Sequence, residues 1–237
     1  MIHTGTSGFA YPSWKPRFYP ADLSSKRFLE YYAGRLNSVE INYTFRRLPA
    51  GSTLEKWVEA TPQGFLFAPK AHQRITHMER LKEPFEFAQA FLGALEPLRA
   101  TGRLGPVLFQ LPPYFRCDEA RLAAFLAALP NGTRYSFEFR HESWFTEAVY
   151  EILSRHDAAL CWAESEKLKA AEVSTASFAY LRLRKPEYSP EERRALAGSV
   201  RKLAHEGKDV FAFFKHEDTP DGALYAEELR RQLAGSA

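Results

Sequence analysis

Three glutamates interrupt apolar runs that otherwise read as buried strands: Glu40 in "SVEINYT", Glu138 in "RYSFEFRH" and Glu164 in "AALCWAES". A carboxylate removed from water is costly unless cations or hydrogen-bond donors meet it. Cations recur at the same depth in other runs. Lys70 closes "GFLFAPK", Arg140 follows Glu138 by two, Arg182 lies within "FAYLRLR", and Lys215 and His216 follow "DVFAFF". Asn42, Gln110 (in "GPVLFQLP") and His141 add neutral polar groups. These types suit acid–base chemistry on an anion, since carboxylates or a lysine can move protons while guanidinium forks hold phosphate or carboxylate. Glu40, Lys70, Glu138 and Glu164 are therefore the expected catalytic residues. Asn42, Gln110, Arg140, His141, Arg182, Lys215, His216 and Trp14 are the expected ligand-binding ones. Lys70 would serve as a Schiff-base lysine where neighbouring cations depress its pKa.

Two other chemistries compete with that reading. His72, His141, His216, Glu138, Glu164 and Glu217 are types that bind zinc or manganese, which would make a metal-dependent phosphodiesterase or endonuclease-like enzyme. No HExxH or HxH spacing occurs, and the cations crowd the same place, so no metal or other cofactor is expected. Nucleic-acid binding is the second. "FAYPSWKPRFYP" interleaves Trp14 and four other aromatics with Lys15 and Arg17, "TFRRLP" adds Arg46 and Arg47, and "KAHQRITH" adds Arg74. Aromatics beside cations stack bases and hold phosphates, although an aromatic loop of this kind also suits a lid. A non-catalytic ligand-binding module is the remaining alternative.

Periodicity places these residues on strands and between helices. Eight short apolar runs, from "IHTGTSG" to "DVFAFFKHE", alternate with helical segments. "DEARLAAFLAAL" has Asp118 as its N-cap, "STLEKWVEA" has capping-box spacing from Ser52 to Glu55, and "SPEERRALAGSVRKLAHEG" runs from an N-cap at Ser189 to a C-cap glycine at Gly207. Strand then helix, eight times in 237 residues, predicts one α/β domain over 1–237, a closed (β/α)8 TIM barrel. The helix after the sixth strand, in "EKLKAAEV", is expected to be incomplete. In such a barrel alternate residues of each strand face the axis, which sends Glu40, Asn42, Lys70, Gln110, Glu138, Arg140, Glu164 and Arg182 to the C-terminal mouth.

Composition excludes several classes. Nineteen Phe and eleven Tyr are too many for a disordered chain, and a net charge of +3 is too small to mark a nucleic-acid binder by itself. Cys117 and Cys161 have no zinc or disulfide spacing and read as free thiols. "MIHTGTSGF" does not resemble a signal peptide and no apolar run is long enough to span a bilayer, so a cytoplasmic location without membrane contact is expected.

"GTSGFAYPSWKPRFYP", "SVEINYTFRRLP", "LGPVLFQLPPYFRCD" and "YSFEFRHESWF" together resemble the YecE-like family, domain of unknown function 72, over essentially the whole chain. The resemblance implies a TIM-barrel fold and no particular reaction. It also implies an Asn-rich end to the last strand and often an Asp on the sixth, where this chain has "FFKHED" and Glu164.

Overall fold

A computed structural model describes residues 1–165, 171–215 and 218–234. Strand β1 (Ile2–Thr6) leads to helix α1 (Phe28–Arg35), β2 (Ser38–Ile41) to α2 (Gly51–Glu59), and β3 (Leu66–Pro69) to α3 (Glu86–Ala94) and α4 (Glu96–Ala100). Then come β4 (Val107–Gln110), α5 (Glu119–Ala128), β5 (Tyr135–Glu138), α6 (Glu147–Arg155) and β6 (Ala159–Ala163). After β7 (Phe178–Leu183) come α7 (Pro190–His205), β8 (Asp209–Phe214) and α8 (Asp221–Ala234). No described helix is long and apolar enough to cross a membrane. Between β6 and β7, residues 171–177 carry no helix. The shortened helix expected there falls largely on residues 166–170, outside the described residues.

The strands do not make the closed eight-stranded barrel that their number predicts. Six of them form a parallel half-barrel in the order β1-β8-β7-β6-β5-β4, and β2 and β3 form a separate two-stranded sheet. Among the described residues the seams hold only isolated bridges, Ser7 with Glu40 on one side and Phe67 with Leu104 and Lys70 with Leu108 on the other. The reason at the first seam is side-chain competition for the backbone. The Asn37 amide accepts from Thr4 N (2.8 Å) and donates to Ile2 O (2.9 Å). The Tyr32 hydroxyl accepts from Thr6 N (2.8 Å) and donates to Ser38 O (3.0 Å). These groups take the bonds that a β1–β2 ladder would have used, so the requirement that buried amides be paired is met without a ladder. At the second seam Phe67 pairs with the segment before β4, donating to Arg103 O and accepting from Gly105 N.

Two apolar layers follow from strand alternation. Val39, Phe67, Phe109, Phe137, Leu160, Leu181 and Val210 face the helices in the main core. Ala68, Leu108, Cys161, Tyr180, Phe211 and Phe213 fill a smaller cluster in the interior that the two sheets share. Fully burying a side chain such as Phe109 contributes about 1.5–3 kcal/mol. Caps fix the helix starts as the sequence predicts at Asp118, which accepts from Arg121 N, and at Ser189, whose capping box with Glu192 is complete. Gly207 follows α7 at φ 83°, a left-handed conformation that suits glycine. Ser52 is not a cap, because α2 begins at Gly51 and its N-cap is Ala50, two residues earlier.

Candidate functional site

Beyond the apolar interior layer, the C-terminal ends of β2, β3, β4, β5 and β7 bring together Glu40, Lys70, Gln110, Glu138, Arg140 and Arg182. Arg182 is the centre. One terminal nitrogen donates to Glu40 Oε1 (2.6 Å) and the other to Glu138 Oε2 (2.5 Å), and all three side chains are at most 2% exposed. Glu40 also accepts from Ser7 Oγ (2.7 Å) and the Tyr180 hydroxyl (2.8 Å). Glu138 accepts from Gln110 Nε2 (2.9 Å), Arg140 Nε (2.9 Å) and Arg184 (2.9 and 3.0 Å). Gln110 Oε1 accepts from Lys70 Nζ (2.8 Å), which sits 4.1 Å from the Phe45 ring centroid. The Thr44 hydroxyl donates to Lys70 O (2.7 Å), tying the loop that carries Phe45 to the end of β3.

Electrostatics divide these groups into fixed charges and one that can titrate. Burial pushes the Glu40 carboxyl up, but Arg182 and the donors Ser7 and Tyr180 outweigh it and hold the acid below the usual carboxylate range. Burial opposes Glu138 in the same way, and Arg182, Arg184 and Arg140 drive it well below that range. Burial works against the charge on Arg182 too, and the two glutamates more than restore it. Lys70 goes the other way. Burial, with Arg182 and Arg140 nearby, outweighs the attraction of Glu40 and Glu138 and lowers its ammonium to about 8. Burial, Lys70 and Arg140 lower His77, which packs edge-on against Phe45.

Charge does not cancel here. Two carboxylates, Glu40 and Glu138, meet four cations, Lys70, Arg140, Arg182 and Arg184. Among the described residues no carboxylate lies within ion-pair distance of Lys70, and the Nε–H groups of Arg182 and Arg184 have no acceptor. Nor do any three His, Cys, Asp or Glu side chains among the described residues come together as metal ligands.

The remaining expected residues lie apart from this cluster. β6 alternates opposite to expectation: Cys161 and Ala163 face the interior, while Leu160 and Trp162 pack with the helix-side core. Glu164, on the face of Leu160, instead accepts from Arg184 N (2.6 Å), Lys185 N (3.1 Å) and the Tyr188 hydroxyl, so it fixes the turn after β7. Asn42 lies beyond the end of β2 in helical backbone at φ −83°, where strand alternation no longer applies. His141 caps a short turn, its Nδ1 accepting from Ser143 N (3.1 Å). Trp14 is 0% exposed and packs among Tyr11, Phe18 and Tyr19. Lys215 is exposed and follows Phe211 and Phe213 in the alternation of β8, while His216 and Glu217 lie outside the described residues. Ser7, Tyr180 and Arg184 join the cluster without being singled out by the sequence reading. Their signal was the same period of two, since Ser7 continues His3 and Gly5 past β1 and Tyr180 and Arg184 flank Arg182.

Compared with known proteins, the chain matches the family described as "Protein of unknown function DUF72" over residues 3–237. It belongs to that family. A DUF72 family protein from Thermotoga maritima MSB8 is similar over 99% of both chains, with a TM-score of 0.88 and 28% identity. Another, from Enterococcus faecalis V583, has a TM-score of 0.76 at 20% identity over 99% of this chain and 98% of that one, a likeness of fold. The UPF0759 protein YunF of Bacillus subtilis (strain 168) is 32% identical over 157 residues, 64% of this chain. That match spans 55% of YunF, little more than half of its length. DUF72 membership conveys kinship without chemistry, which has to come from the site itself.

Proposed function

We propose that this DUF72 protein is a metal-independent acid–base enzyme acting on a small anionic, phosphorylated ligand at the end of the interior where Lys70, Arg140 and Arg184 gather. The excess of cations over carboxylates carries the reading. A fold that needed these charges for stability would pair them, because an unpaired buried cation is costly. Arg140 and Arg184 are the outer guanidinium groups, 39% and 17% exposed, and forks of that kind suit a phosphate. Glu40 and Glu138, held ionised and saturated with donors, are poor proton donors and weak bases at neutral pH. Lys70, lowered to about 8, is the group whose proton affinity lies near working conditions.

Thermal shift with inorganic phosphate, sugar phosphates and nucleotides, each against its dephosphorylated counterpart, tests this. A ligand at a hundred times its Kd stabilises the fold by about 2.7 kcal/mol. Phosphorylated compounds should raise the melting temperature of the wild type and not of Lys70→Met or Arg184→Met. Shifts that survive both substitutions would remove the site from the account, and shifts without turnover would make the protein a binding module.

A second reading, single-stranded nucleic acid, is favoured by the rim. Tyr43 and Leu48 after β2, Met78 after β3 and Tyr114 after β4 are 49%, 41%, 63% and 64% exposed. Exposed Arg46, Arg47 and Arg116 lie among them. Aromatic faces beside cations are how such strands are held, and the binding weakens steeply with salt. Anisotropy titrations of a labelled oligonucleotide at two salt concentrations, with Tyr114→Ala and Arg46→Ala, separate this from binding of a small anion.

A further inference from the structure

We propose that Lys70 is an amine nucleophile that condenses with the carbonyl group of a phosphorylated aldehyde or ketone. The inference rests on the anion site above and names the substrate class. Its basis is what Lys70 touches. A buried lysine kept for stability ordinarily meets a carboxylate, and two carboxylates are present, yet Arg182, Arg140 and Arg184 take both. Gln110 stands between. Its oxygen accepts from Lys70 Nζ and its nitrogen donates to Glu138, so the amide's orientation is fixed from both sides. The glutamine acts as a spacer that gives the amine a neutral acceptor and keeps it from pairing with Glu138. Phe45 supports the amine from one side, and Thr44 pins that loop to Lys70's own carbonyl.

The charged and titratable groups facing Lys70 are Glu40 on β2, His77 after β3, Glu138 and Arg140 at the end of β5, and Arg182 on β7. Their balance, with burial, leaves a useful fraction of free amine near neutrality. Cations crowding a desolvated lysine are a known way to obtain a reactive amine.

The nitrogen lone pair adds to the carbonyl carbon while the C=O pair moves to oxygen, and an N–H proton passes to that oxygen to give a carbinolamine. A proton from solvent then converts the hydroxyl to leaving water, and the nitrogen keeps one hydrogen as a protonated imine. The phosphate rests on Arg140 and Arg184.

The probe is pyridoxal 5′-phosphate, a phosphorylated aldehyde, with borohydride to reduce the imine to a stable secondary amine and peptide mapping to locate it. The intact chain is treated at neutral pH. Lys70 should be labelled roughly tenfold or more faster than exposed Lys26 and Lys56, because an amine lowered to about 8 keeps a useful fraction unprotonated near neutrality. Inorganic phosphate should slow labelling at Lys70 alone. Gln110→Glu, which gives the amine a carboxylate partner, should slow Lys70 and leave Lys26 and Lys56 unchanged as internal controls. Labelling of Lys70 no faster than those two overturns the proposal. If pyridoxal without its phosphate labels Lys70 equally well and phosphate does not compete, the amine inference stands and the anion site fails. If phosphate raises the melting temperature while Lys70 stays unlabelled, the anion site stands and this inference fails.

Discussion

Replacing Arg182 by Met would strand one carboxylate and spare the other. Glu138 would keep Arg140 and Arg184, whereas Glu40, 0% exposed, would keep only the Ser7 and Tyr180 hydroxyls. Removing one partner of a buried ion pair costs about 3–5 kcal/mol, and here nearly all of it falls on Glu40. Adding Glu40→Gln removes the stranded charge while its amide can still meet both hydroxyls. The double variant should therefore be more stable than Arg182→Met alone, by about 2 kcal/mol, a strongly non-additive pair. Urea denaturation at neutral pH measures the cycle. Repeating it in acid adds a sign. In the wild type the Glu40 pKa is depressed, so its contribution is present above the unfolded carboxylate value and lost as pH falls through the folded one. In Arg182→Met, burial without the cation raises it, so protonation relieves the penalty. Both effects make the deficit of Arg182→Met shrink as pH falls. A double variant less stable than the single, or a deficit that grows in acid, would refute the assignment of Arg182 as the counter-ion that makes Glu40 tolerable.

Other outcomes follow from the same geometry. Gly5→Ala should cost about 3 kcal/mol in urea melts, since a Cβ there would lie 2.0 Å from Ser38 O, on backbone that cannot swing away. Tyr32→Phe should cost about 1–3 kcal/mol and speed hydrogen exchange at the Thr6 amide, which would lose its acceptor inside the fold. Lys70→Met should raise the unfolding free energy from urea melts at neutral pH, by about 1 kcal/mol, because a lysine lowered to about 8 opposes folding while it is charged. That gain should fade as pH rises from about 8 towards the unfolded value of 10.5; a loss of stability at neutral pH would count against a strained ammonium.

Most of the cluster was legible because its strands have one polar and one apolar face. Val39 and Ile41 against Glu40, Phe137 and Phe139 against Glu138, and Leu181 and Leu183 against Arg182 leave no doubt about which side is which. β6 was misread because both of its faces are apolar. Cys161 and Ala163 go inside because they are small and the interior is already crowded by Phe178, Tyr180, Phe211 and Phe213, which is a matter of volume that periodicity does not encode. Eight strands were legible and closure was not. Whether a ladder zips depends on single competing side chains such as Asn37 and Tyr32, which read as ordinary residues in a sequence.

The division into two sheets has a consequence for how this molecule breathes. Glu40 and Lys70 belong to the β2–β3 ribbon, whereas Gln110, Glu138 and Arg182 belong to the half-barrel, so Lys70–Gln110 is a clasp across a seam that lacks a continuous ladder and Arg182–Glu40 ties the two sheets through the interior. Segments joined by few backbone bonds exchange their amides through partial openings rather than global unfolding. A ligand that touches Lys70 on one side and Arg184 on the other would act as a rivet, and its arrival should register first as slower deuterium uptake along Ser38–Ile41 and residues 66–68, at amides that it does not itself bond.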